Sequence, residues 1–75
     1  MTFHEGHIEF SDGRKLTNKW VNKDDAINYY EYAPYYKDCV RAECFEYTTD
    51  EANFGFIETC IYEYDIDGKY FYNVA

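Results

Sequence analysis

The sequence predicts an α+β fold: an antiparallel β-sheet of about five strands, in the element order β-β-α-β-β-β, with one helix packed on one face. Three observations predict it. Two Asp-Gly turn sequences, "FSDGR" (10–14) and "DIDGK" (65–69), each sit between alternating segments, and one amphipathic stretch runs between Asn22 and Pro34. The third is size: 75 residues close one core and leave no material for a second, so residues 1–75 read as a single compact domain.

The first hairpin comes from residues on either side of "FSDGR". A type I turn followed by a left-handed glycine sets Ile8 opposite Leu16 and Glu9 opposite Lys15, an apolar pair on one face and an ion pair on the other. Asn22 caps a helix that starts at Lys23, with Asp24 and Asp25 in the first turn, where the helix dipole favours acids. Pro34 disfavours helix just before it and sets the end at about Ala33. Ala26, Ile27, Tyr30 and Ala33 form the buried stripe, leaving Asn28, Glu31 and Tyr32 outward. Residues 39–48 alternate as a strand, with Val40, Ala42 and Cys44 on one side and Arg41, Glu43, Phe45 and Tyr47 on the other. After the polar loop "TDEANFG", residues 56–65 and 69–74 make the last two strands.

The turn type at Asp67-Gly68 decides where the C-terminal tyrosines point. A bulged turn pairs Tyr64 with Tyr70, Tyr62 with Tyr72 and Cys60 with Val74, placing four tyrosines on one face. Ile57, Ile61 and Phe71 then lie on the other, against Ala26, Ile27 and Tyr30. With one helix to cover one side, the tyrosine ladder is left open, a patch on the order of the largest found on monomers, about 300–600 Å². A two-residue turn scatters the ladder instead, and the alternative place for the tyrosines is the edge of the core.

The net charge of −8 is unevenly spread: residues 1–23 carry +1 and residues 24–75 carry −9. Such a field repels nucleic acid and anionic membranes, and it speeds association with basic proteins. Binding chemistry that needs a basic face is therefore excluded, although the aromatics are present. Ser11 is the only serine and sits in a turn, so a serine triad has no frame. His4 and His7 fall on opposite faces of a strand, and the Cys39–Cys44 spacing does not suit a structural zinc site. "EYDIDG" matches the start of a calcium loop but puts Val74 where the bidentate Glu belongs. No catalytic residue, metal or cofactor is expected, and no enzymatic activity. Three cysteines and a start without a signal-peptide pattern predict reduced thiols and a cytoplasmic protein.

What remains is a binding protein. Acids at two-residue spacing along a strand stand about 6.6 Å apart, an array able to imitate nucleic-acid phosphates. The expected contact residues are Tyr62, Tyr64, Tyr70 and Tyr72 as anchors and Glu43, Glu46 and Glu58 as the charge array, with the helix acids Asp24, Asp25 and Glu31 as an alternative face. In size, charge and aromatic α/β pattern the whole chain resembles the small acidic proteins that phages and mobile elements encode against host defence, among them the anti-CRISPR proteins. The resemblance implies an inhibitor in the host cytoplasm. It would bind a basic, nucleic-acid-binding surface of a defence complex, a CRISPR effector for example, without touching nucleic acid or membrane. The alternative is a structural or assembly protein that forms a homodimer or larger homo-oligomer through the tyrosine face.

Overall fold

The computed structural model describes residues 1–66 and, as backbone, residues 69–72. It is an antiparallel α+β fold with one α-helix lying on the sheet, as the sequence predicts. The elements are β1 (Thr2–Phe10), β2 (Lys15–Trp20), α1 (Lys23–Glu31), a 3-10 turn (Ala33–Tyr35), β3 (Cys39–Asp50), β4 (Gly55–Asp65) and β5 (Lys69–Tyr72). The strands β2, β1, β3 and β4 lie side by side in that order, and β5 continues the sheet beyond β4. From the β2 edge the chain crosses one face as α1 and returns as β3 on the far side of β1.

The first hairpin has the predicted register, Ile8 opposite Leu16 and Glu9 opposite Lys15. Gly13 adopts φ +90°, which L side chains avoid, and its N–H bonds to the Phe10 carbonyl at 2.9 Å. The Asn22 side chain caps α1 by accepting from the Asp25 N–H at 3.1 Å. The helix stops at Glu31, two residues short of the expected end. Pro34 lacks an N–H, and the chain tightens into the 3-10 turn that carries it.

Beneath α1 the sheet supplies small residues and the helix supplies rings. Ile8, Ala42 and Cys44 are fully buried under Ala26, Tyr30 and Ala33. Gly6 is the closest contact: a Cβ there would lie 2.4 Å from the Tyr30 ring and 2.6 Å from the Glu43 carbonyl oxygen. Trp20 flanks this core, its ring 4.9 Å from that of Tyr29, and its indole N–H reaches the Tyr30 hydroxyl at 3.4 Å.

The core differs from the expected one in β4. Tyr62 and Tyr64 pair with Cys44 and Ala42 and are buried on the helix side, 0% and 8% exposed. They are not an open ladder. Ile61 is buried as well, next to Tyr62, because the β3–β4 register shifts at Cys44/Phe45 and a bulge brings two consecutive residues inward. Past the bulge the alternation is inverted, and Ile57, expected in the core, is 54% exposed beyond the reach of the nine-residue helix. Cys39, rather than Val40, is the buried residue at the start of β3. Tyr64 faces Tyr70 and Tyr62 faces Tyr72 in the backbone register of β4 and β5. The side chains of Tyr70, Phe71 and Tyr72, the turn at Asp67-Gly68 and the Cys60–Val74 pairing lie outside the described residues.

Candidate functional site

The face that α1 leaves uncovered follows from the alternation of β1 and β3. With His4, Gly6, Ile8 and Phe10 inward, Phe3, Glu5, His7 and Glu9 point the other way. They stand opposite Tyr47, Phe45, Glu43 and Arg41 of β3. On the next strand Glu63 faces Glu43, and past the bulge Cys60 faces Phe45 and Glu58 faces Tyr47. The bulge therefore decides which β4 residues join this face.

The rings form a continuous chain. Phe45 and Tyr47 have centroids 6.5 Å apart, Tyr47 stacks on Phe3 at 5.1 Å, and Phe56 meets Phe3 edge-on at 5.4 Å. Side by side on a pleated surface, such rings stabilise the sheet and still offer their outer faces. Phe56 is 52% exposed. Beside Phe3 a recess of about 340 Å³ opens among Met1, Phe3, Lys19, Trp20 and Val21.

Charges border the rings. Glu43 accepts from His7 Nε2 and, at 3.1 Å, from Arg41 Nη2. Burial alone would push the Glu43 carboxyl up, but these two donors hold it below the usual carboxylate range. Arg41 is stabilised as a cation by the same carboxylate, with Glu63 and Asp65 adding to it. Burial, and the Glu58 carboxylate beside it, push the Tyr47 hydroxyl up. Lys19 Nζ sits 5.8 Å from the Phe3 ring centroid and 3.9 Å from Glu5.

Of the residues singled out from sequence, Glu43 and Glu58 come together on this face. Glu46 lies on the helix side, where its carboxylate meets Nε2 of the buried His4 at 3.1 Å. Asp24, Asp25 and Glu31 are exposed along α1, on the opposite side of the molecule. Tyr62 and Tyr64 are in the core, and the Tyr70 and Tyr72 side chains lie outside the described residues. Phe3, Glu5, His7, Phe45, Tyr47 and Phe56 are the residues that sequence reasoning missed as a group. The signal was present in the two alternating runs of β1 and β3, each small or apolar on one side and aromatic or charged on the other. A second exposed aromatic group, Tyr32, Tyr35 and Tyr36, follows the helix.

Among the described residues no three His, Cys, Asp or Glu side chains are arranged to hold a metal ion, and no helix is long and apolar enough to cross a membrane. The fold and its open face define an acidic, aromatic sheet surface. No family model, curated protein or solved structure matches the chain.

Proposed function

We propose that this protein is a non-enzymatic inhibitor of the kind phages encode, binding a basic, nucleic-acid-recognising surface of a host defence complex such as a CRISPR effector. The observation that carries the reading is the uncovered sheet face, where the chain of rings from Phe45 to Phe56 is bordered by Glu5, Glu43, Glu58 and Glu63. The rings supply apolar contact, and the carboxylates supply negative charge of the kind a phosphate-binding surface takes. The net charge of −8 steers the encounter from a distance.

Four strands about 4.8 Å apart and six to twelve residues long make a face on the order of 500 Å². A standard interface takes about 800 Å² per partner, so the neighbouring β3–β4 tip, with Phe54 97% exposed, belongs to the contact. Self-assembly through the tyrosine ladder is the weaker reading. Tyr62 and Tyr64 are buried, and an acidic face repels its own copy.

The test is target-DNA binding by a purified CRISPR effector complex in the presence of this protein. Wild-type protein is expected to abolish DNA binding. The double substitution Phe45→Ser with Glu58→Lys should restore it, whereas Asp24→Asn with Asp25→Asn should not. Inhibition that survives the first pair, or no effect at saturating protein on any effector type tried, overturns the reading.

A further inference from the structure

Resting on that reading, we infer that the open face takes arginine side chains of its protein partner, a guanidinium stacking on the Phe45–Tyr47 ring pair between the carboxylates of Glu5 and Glu58. The molecule already makes this arrangement twice with its own cations. Arg14 places its guanidinium 4.7 Å from the Phe10 ring centroid while its Nε lies 2.7 Å from an Asp12 carboxylate oxygen. Lys19 does the same with Phe3 and Glu5, at 5.8 and 3.9 Å. Both side chains are about two-thirds or more exposed and still settle over a ring beside an acid.

Phe45 and Tyr47 repeat the pattern with no Lys or Arg of this chain over either ring among the described residues, the His7 ring lying 6.5 Å from that of Phe45. Glu5 stands directly opposite Phe45 on β1, and Glu58 directly opposite Tyr47 on β4. Directly opposed residues are about 5 Å apart at Cβ, so each carboxylate lies within reach of a group stacked on the rings. Arginine suits the site better than lysine, since its planar group stacks on a ring face while its edge donates to a carboxylate. The carboxylates also select against a nucleic acid, whose bases would stack but whose phosphates are repelled.

Titration of isotope-labelled protein with an arginine octapeptide and a lysine octapeptide of equal charge tests this. The arginine peptide should shift the Phe45 and Tyr47 ring signals and bind about 2- to 5-fold more tightly than the lysine peptide, the margin of an exposed cation–π contact. Phe45→Leu should remove that margin. Because Glu58 is exposed, Glu58→Gln leaves the core intact, and it should weaken the arginine peptide at least about 2-fold. Equal binding of the two peptides on this face, or an unchanged margin in Phe45→Leu, overturns the arginine site and leaves the acidic binding face standing. If neither peptide moves a signal on the face, both fall.

Discussion

Replacing Gly6 by alanine tests which face of the sheet the helix covers, and with it which side chains are free to bind. A Cβ at residue 6 would sit 2.4 Å from Tyr30 Cζ and 2.6 Å from the Glu43 carbonyl oxygen. Real Cβ atoms do not come so close. The ring is pinned between Trp20 and Tyr29, and the carbonyl belongs to β3, so neither moves without loosening a neighbour. Overpacking of this kind costs about 1–3 kcal/mol. Removing a strand glycine returns about 0.5–1 kcal/mol of chain entropy, so the middle of the two ranges leaves a net loss of about 1.3 kcal/mol. At about 4–8 °C per kcal/mol for a domain this size, the melting midpoint should fall by about 5–10 °C in calorimetry. An unchanged or higher midpoint refutes the packing described. Because the Glu43 carbonyl lies within the sheet and opposes the methyl wherever the helix lies, a second substitution separates it from the ring. A less than additive loss in Gly6→Ala combined with Tyr30→Leu would identify the ring as the obstacle.

Four further outcomes are expected. Tyr62→Ala, a fully buried position, should cost about 3–5 kcal/mol and unfold much of the protein, by analogy with other large-to-small core changes, and circular dichroism will show this; a folded variant with altered binding would return Tyr62 to the surface. Asn22→Ala should cost about 1 kcal/mol through the lost cap, read in denaturant unfolding. Burial pushes the Cys44 thiol, with the Cys60 sulfur adding to it, from its ordinary 9.0 up to about 12. Burial likewise raises the Tyr30 hydroxyl from 10.0 to about 12. Both groups stay protonated in the folded protein after they ionise in the unfolded chain. Their contribution is whole below pH 9 and is lost as pH rises towards 12, so the unfolding midpoint should fall across that window. A flat alkaline limb would contradict their burial. Lastly, raising salt from about 50 to 500 mM should slow association with a basic partner by at least tenfold while dissociation changes less, measured by stopped flow.

Identifying a binding face depended on one local irregularity. Alternation read along residues 56–65 places Ile57, Thr59, Ile61 and Glu63 together and the tyrosines opposite. The bulge at Cys44/Phe45 breaks that count, putting Ile61 and Tyr62 inward together and turning Glu58 and Phe56 to the open side. A bulge carries no strong residue signature, so strict period-two reasoning passes over it. Helix placement was equally silent in the residues of β4. It is set by Gly6, which leaves room for the Tyr30 ring, and by the small buried side chains of Ala42 and Cys44 in the same core.

Several elements could be read from local chemistry alone. The Asp12-Gly13 turn, the Ile8–Leu16 pairing, the Asn22 cap and the outward set Arg41, Glu43, Phe45 and Tyr47 each follow from a few adjacent residues, because turn geometry, capping and strand alternation are short-range effects. The composition likewise determined that tyrosine must help fill the core. The chain has ten tyrosines and one leucine, too few aliphatic side chains to build an interior without rings. Helical periodicity already put Tyr30 inward and Tyr32 outward. Which strand tyrosines go inside was decided by tertiary structure: Tyr62 and Tyr64 are inward because the helix rests where the sheet offers small residues, and because a bulge sets the phase of β4. Those are contacts between residues far apart in the chain, and no local pattern of residues encodes them.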